Sequence, residues 1–311
     1  MNEKIFSMQM ISSLRSHFEK TSFKYITYPK FIFLCGKAFS TPSEYTITNR
    51  GIIESFIKSN YDDPFIVLSE KLWEDNFYSS IDLLTFEEFL AEVSDFILLF
   101  VESPGTFCEL GAFTYADNLF SNKLIIILDE KYKDNKSFII NGPVLKAQNN
   151  GSKIIYAPVN NGALLSNNKL RATILECISN FKSKVSLCNK RTINKEQNCV
   201  ILNSFIIEIL ELLRIVHPIK LSDLIKLYKI VKKFDSFTFV KQNSQNFNQE
   251  IKINYIFKLL KDVKLIEFDS DYISPLEHHK LQNLMFKYQG ISEQKERNRL
   301  LCRKYKFGEK V

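Results

Sequence analysis

The sequence predicts an α/β chain, a doubly wound parallel sheet followed by a smaller, mainly helical winged helix-turn-helix domain. Three observations predict it. Short apolar runs alternate with segments of helical periodicity in the first part of the chain. That pattern is lost in a Lys/Asn/Ser-rich stretch at 184–197, beyond which three helical segments and a hairpin follow. Charge divides at the same place: residues 1–189 carry 19 Lys and Arg against 21 Asp and Glu, residues 190–311 carry 23 against 14. A chain of 311 residues suggests two domains, placed at 1–186 and 199–311 with a linker at 187–198.

The elements follow in order. A helical segment near 11–20 comes first. Phe31-Ile32-Phe33-Leu34-Cys35-Gly36 reads as a strand ending at a glycine, where either a ligand approaches the backbone or the chain turns. Over 41–59, Ile47, Ile52, Ile53, Phe56 and Ile57 recur at helical spacing and make a crossover helix. The second strand is 64–68. A helix over 85–93, opened by Thr85-Phe86-Glu87-Glu88, leads past Asp95, a boundary residue, into the third strand at 96–101. Its unbroken apolar character suits a parallel strand covered on both faces. Strands at 123–128 and 153–156 and a helix near 170–182 complete the domain.

In the second domain, a core helix at 200–216 stops at Pro218, Ser222 caps a helix through Phe234, and a third helix covers 249–263. Residues 264–268 and 272–273 then form a hairpin about Asp269-Ser270-Asp271, and 242–249 reads as an exposed loop. Three helices and a hairpin are the order of a winged helix-turn-helix. Lys229, Lys232, Lys233, Lys252, Lys258, Lys261 and Lys264 would meet phosphates. A small helical interaction domain with a solvated basic surface has the same pattern.

Composition narrows the classes. Cys35, Cys108, Cys177, Cys188, Cys199 and Cys302 show no paired short spacing, so reduced thiols and a cytoplasmic location are expected. His17, His217, His278 and His279 have no ligand spacing, and no metal is assigned. No apolar run approaches the roughly 20 residues of a bilayer span, and the first residues lack a signal-peptide core, so no membrane partner is expected.

The stretch from Glu102 to Ala112 carries most of the chemistry. It joins a buried strand to a helix, where open α/β sheets bind ligands. Pro104 and Gly105 turn the chain, Thr106 suits an N-cap, and Glu109 falls in the first helical turn, where the dipole favours the ionised form. An ionised Glu beside a sugar could stabilise or attack an anomeric carbon. Thr106-x-x-Glu109 is also a capping box, a structural device. Glu70, after the second strand, faces either the cleft or solvent. Asn141-Gly142-Pro143 is a turn by composition. Cys108 lies near the same helix start, but the sequence shows no base that would make it a nucleophile.

The carboxylate-after-strand pattern, with Phe33-Leu34-Cys35-Gly36 upstream and Glu109-Leu110-Gly111-Ala112 at the helix start, resembles nucleoside deoxyribosyltransferase-like proteins. Leu98 through Phe113, together with Ser137-Phe138-Ile139-Ile140-Asn141-Gly142-Pro143-Val144, resembles the effector toxins of retron antiphage systems. In that group a deoxyribosyltransferase-like domain precedes a winged-helix domain. The resemblance implies cleavage of an N-glycosidic bond with Glu109 as the catalytic carboxylate. It places Cys35, Gly36, Glu70, Glu102, Ser103, Pro104, Gly105, Thr106, Asn141 and Gly142 around a nucleotide substrate. It implies control by a retron reverse transcriptase and its branched RNA–DNA product, msDNA, and is compatible with a homo-oligomer. NAD+ is the attractive substrate, used without a further cofactor, because its leaving nicotinamide is already cationic and needs no general acid. Deoxyribosyltransferases carry an additional acid a few residues before the catalytic one; here Ser103-Pro104 stand there, which favours hydrolysis over transfer. The alternatives are a nucleoside or nucleotide deoxyribosyltransferase or glycosidase, and a non-catalytic regulator that senses a nucleotide and binds DNA.

Overall fold

The structure, a computed structural model, describes residues 6–20, 30–61, 64–73, 82–115, 120, 122–159, 163–179, 198–200, 202–239 and 249–276. They divide into two units: described residues between 30 and 179 form one, and those of 6–20, 198–239 and 249–276 the other.

Five apolar runs become the strands of the first unit: β1 (Lys30–Cys35), β2 (Pro64–Val67), β3 (Phe96–Val101), β4 (Leu124–Asp129) and β5 (Lys153–Ala157). All neighbours are parallel, in the order β2-β1-β3-β4-β5. The direction of winding reverses between β1 and β3, so a crevice is expected beyond the carboxyl ends of those two strands. The chain connects them through α2 (Pro42–Ile47), α3 (Asn49–Asn60), α4 (Ser69–Trp73) and α5 (Leu83–Val93). Beyond β3 come α6 (Pro104–Tyr115), α7 (Leu145–Asn149) and α8 (Asn168–Ser179).

Side chains of a strand alternate between faces, and the two faces have different partners. Ile32, Leu34, Leu98, Phe100, Ile125, Ile127 and Ile155 form one core with Ile53 and Ile57 of α3 and Ile174 and Ile178 of α8. On the other face Phe33 meets Phe113 of α6 edge-on, with ring centroids 6.3 Å apart. Every side chain of β3 and β4 is buried, as a parallel sheet covered on both sides requires. At the amino end of the sheet Asp95 accepts a hydrogen bond from the Phe31 amide at 2.8 Å, while its own amide donates to the Phe31 carbonyl. This confirms it as a boundary residue.

The expected single crossover helix at 41–59 is two helices. Thr48 ends α2 and caps α3, its hydroxyl accepting from the Gly51 amide at 3.1 Å. The bend brings the backbone of Tyr45 so close to Gly51 that a Cβ there would lie 2.1 Å from its carbonyl oxygen. Ile47, counted in the apolar stripe, is consequently 76% exposed.

The second unit contains α1 (Met8–Lys20), α9 (Leu202–Val216), α10 (Leu221–Lys232) and α11 (Gln249–Asp262). A three-stranded sheet orders β7 (Ile219–Lys220), β10 (Tyr272–Pro275) and β9 (Ile266–Asp269), with β10 antiparallel to both neighbours. Separately, β6 (Asn198–Val200) pairs in parallel with β8 (Phe237–Phe239). Phe205 of α9 centres the core, packing on Tyr228, Phe237 and Phe239. Arg15 of α1 donates to the Ile230 carbonyl at the end of α10 at 2.8 and 3.2 Å.

Two local expectations change here. Val200, expected to open the core helix, instead ends β6, and the helix begins at Leu202. Ser222 does not cap α10, which starts at Leu221 after Lys220 without a side-chain cap, because the pairing of β7 with Tyr272 and Ile273 fixes the entry. The hairpin forms as expected, with Ser270 at φ 53° in its turn. Of the expected linker only Asn198, which opens β6, is described, and of the loop at 242–249 only Gln249; the other residues of both lie outside the described residues.

Candidate active site

The turn after β3 differs from the capping box read from the sequence. Pro104 opens α6, as its fixed φ suits the first helical position. Thr106 is inside the helix and reaches back, its hydroxyl accepting from the amides of Glu102 and Ser103 at 2.9 Å each and donating to the Ser103 carbonyl at 2.8 Å. Glu109 therefore lies in the second helical turn, past the reach of a cap and of most of the dipole. Its side chain serves no helix terminus.

Residues following β1, β2 and β3 converge with two crossover helices beyond the sheet. Glu102 accepts from the Lys37 amide at 2.9 Å through one oxygen and from the Asn49 amide group at 2.5 Å through the other; Asn49 also donates to the Val159 carbonyl at 2.7 Å. Both oxygens thus join the end of β3 to the segment after β1. Arg50, 1% exposed, donates to the Lys37 carbonyl at 2.5 Å and pairs with Glu70 at 2.7 Å. Its guanidinium lies 5.4 Å from the centre of the Phe39 ring, and its Nε is buried without a hydrogen-bond partner. Gly36 makes this packing feasible, for a Cβ there would stand 2.9 Å from Arg50 Cγ and 3.1 Å from Glu102 Oε1.

Around Arg50 stand three carboxylates. Glu87 on α5 is buried, and burial pushes its pKa up to about 7; a hydrogen bond from Ser69 and the charge of Arg50 oppose the shift, and Glu70 adds to it. Glu109 is pushed up to about 8, first by burial, then by Glu87 and Glu70, with Arg50 opposing. One of its oxygens is buried and has no hydrogen-bond partner. The shift runs against the ionised state expected from the helix dipole, because desolvation and like charges outweigh a dipole one turn away. Cys35 lies buried beneath these groups, its thiol raised well above the ordinary range by burial and by Glu109 and Glu87.

Of the residues picked out from the sequence, Cys35, Gly36, Glu70, Glu102 and Glu109 converge. Ser103, Pro104 and Gly105 form the start of α6, where the space above Gly105 is open except for Ser103 Oγ at 4.0 Å. Cys108 is exposed on the same helix. Asn141 and Gly142 do not form a simple turn: they belong to a π-helical turn at Ile140–Val144 that packs on α6. There Asn141 donates to the Lys136 carbonyl at 3.1 Å and Gly142 faces the Phe138 ring.

Sequence reasoning missed Asn49, Arg50 and the burial of Glu87. A signal existed for two of them. Arg50 stands three and seven residues before Ile53 and Ile57, and Glu87 three before Leu90, so each puts a charge on a buried helical stripe.

In the second unit the basic residues divide. Lys232 pairs at 2.6 Å with the buried Glu208, which also accepts from the Tyr228 hydroxyl at 2.7 Å. Its charge is neutralised internally. Lys233, Lys261 and Lys264 are exposed, Lys229 and Lys258 half-buried, and the side chain of Lys252 lies outside the described residues. Glu267, Asp269 and Asp271 make the hairpin tip acidic. Among the described residues no group of three His, Cys, Asp or Glu could hold a metal ion, and no helix is long and apolar enough to cross a membrane.

The family described as STM3845 retron effector protein matches residues 46–268. Two curated proteins of Escherichia coli are similar, the retron Ec86 and Ec73 proteins, each named "putative ribosyltransferase/DNA-binding protein". The first is 39% identical over 126 residues, 40% of this chain and 39% of the relative. The second is 29% identical over 174 residues, 54% of this chain and 55% of the relative. The chain thus spans 39% and 55% of the lengths of the curated relatives it matches.

Proposed function

The chain belongs to the STM3845 retron effector family, and from that premise we propose that it is the toxin of an antiphage retron, an N-glycosidase that releases nicotinamide from NAD+. The observation that supports this best is the placement of Glu109. It stands beyond β3 where the strand order reverses, with a buried oxygen that no protein group satisfies. A substrate group would complete it.

The chemistry follows from the substrate's own charge. As the C1′–N bond of the ribosyl pyridinium breaks, its electron pair passes to the ring, which leaves as neutral nicotinamide without an acid. The sugar carbon gains oxocarbenium character, which a carboxylate at Glu109 stabilises or captures. Water adds at C1′ and loses a proton, giving ADP-ribose, nicotinamide and H+. Burial and the neighbouring carboxylates push the Glu109 pKa up to about 8. A cationic ring beside it favours the ionised form, so a substrate that brings a positive charge suits this site better than a neutral nucleoside. Arg50 and Glu102 act on the walls, fixing the segment after β1.

The second unit, read as a winged helix, would grip msDNA or the retron reverse transcriptase in the cytoplasm. This extends to the chain what the relatives' names say of DNA binding.

The test is to incubate the chain with NAD+ and with deoxynucleosides side by side and to follow nicotinamide and free bases. Nicotinamide release is expected, with Glu109→Gln slowing it by about 100-fold or more and removing toxicity. An active, toxic Gln variant would overturn the role of Glu109. Base release without nicotinamide release would replace NAD+ by a nucleoside, and binding without turnover would favour a regulator.

A further inference from the structure

We propose that Asn49 is a positioning residue for this chemistry: with Glu102 it forms a latch that ties the segments following β1, β3 and β5 into one rim and fixes the turn from which α6 carries Glu109, a role that rests on the reading of Glu109 given above.

Asn49 opens α3 and is 7% exposed. Its side chain is not needed to start the helix, since Thr48 supplies the cap. A buried amide group is costly unless its protons are paired. Here the group donates to Glu102 Oε2 at 2.5 Å and to the carbonyl of Val159, beyond β5, at 2.7 Å. The other oxygen of Glu102 holds the Lys37 amide beyond β1 at 2.9 Å. Arg50, the next residue of α3, holds the Lys37 carbonyl at 2.5 Å. Neighbouring residues of one helix thus grip the amide and the carbonyl of the same residue, one through Glu102 and one directly.

Glu102 is fixed through its backbone as well. Its amide donates to Thr106 Oγ1 at 2.9 Å, and Pro104 opens α6 just beyond it. Both oxygens of Glu102, a residue expected around the substrate, are therefore engaged by the protein, and every joint of the latch meets at the turn that aims Glu109. A carboxylate that must reach a sugar carbon depends on placement, since an error of about 1 Å can cost about 100-fold in rate.

The test replaces the joint in the full chain. Asn49→Asp keeps the shape, removes both donated hydrogen bonds and sets a second carboxylate against Glu102. Its kcat per folded molecule is expected to fall by about 10- to 100-fold, with KM little changed. Adding Glu102→Gln reverses the polarity of the joint: the introduced amide group donates to the introduced carboxylate and its oxygen still accepts from Lys37, so most of the lost kcat should return. A residue that only stabilises the fold would lower the denaturant midpoint and leave kcat per folded molecule unchanged. That result, or a double variant no faster than Asn49→Asp, overturns the proposal. If the variants do not fold, amide hydrogen exchange of the parent decides. Lys37 and Ala38 are both exposed, yet the Lys37 amide should exchange about tenfold or more slowly than that of Ala38; equal intrinsic-corrected rates would show the latch open and overturn the proposal. Rates are read on whichever N-glycoside the parent cleaves, so failure to consume NAD+ would reject the substrate alone. A parent that cleaves none would reject the role of Glu109, while exchange would still decide whether the latch closes.

Discussion

Glu109 is a carboxylate that the fold pushes toward neutrality, and this leaves a mark on stability. Its proton affinity is higher folded than unfolded, about 8 against an ordinary 4.5. The stability this group contributes is therefore fully present below 4.5, declines as pH rises, and is lost above about 8, where the fold carries a buried anion. Glu87, raised to about 7, adds a contribution of the same sign. Glu109→Gln, which cannot ionise, should match the parent in denaturant midpoint near pH 4.5 and exceed it at pH 9 by up to a few kcal/mol. Equal midpoints at pH 9 would show that the carboxylate is well solvated. Gly36 belongs to the same scale. Gly36→Ala drives a methyl against Arg50 and Glu102, and the overpacking should cost about 1–3 kcal/mol in urea unfolding. The place of Glu109 on the helix that follows the third strand was legible in the sequence. Arg50 was not, since a single charge on an apolar stripe gains meaning only when Glu70 and the Lys37 carbonyl are seen to receive it.

At the level of elements, the sequence located the five strands to within a residue or so because each is a bounded apolar run, buried throughout in β3 and β4. Helix starts were harder, because competing caps decide them. Thr48 divides one periodic stretch into α2 and α3, and the pairing of β7 with β10 sets where α10 begins. The start of α6 matters most, since it fixes the turn on which Glu109 is carried. Thr106 Oγ1 makes three backbone hydrogen bonds there. Thr106→Val keeps the shape and removes all three, which should cost about 1–2 kcal/mol and reduce turnover, whereas Thr106→Ser should restore most of both. A Val variant with unchanged stability and rate would mean that the Ser103–Pro104 start suffices to hold Glu109.

For the whole molecule, the division of charge was visible in the sequence, but the use of each charge was not. The second unit is basic, yet Lys232 is neutralised by Glu208, and at the hairpin Glu267 and Asp269 are exposed while Asp271 pairs with Lys220 at 3.1 Å. Of the lysines expected to meet phosphates, Lys233, Lys261 and Lys264 are exposed among the described residues, and Lys261 and Lys264 lie together at the carboxyl end of α11 and the turn after it. Each lysine that meets a duplex phosphate adds about 0.9 to the slope of log affinity against log salt. Replacing Lys261 and Lys264 together by Gln should lower that slope by about one to two, measured by fluorescence anisotropy on a short duplex. Nicotinamide release should be unchanged, since neither residue is part of the Glu109 cluster. Lys232→Gln should behave in the opposite way, leaving the salt slope intact while costing a few kcal/mol by stranding the buried Glu208 carboxylate. A double variant that binds duplex with an undiminished slope would take this face away from nucleic acid and leave it to a protein partner, for which the acidic hairpin tip would be no obstacle.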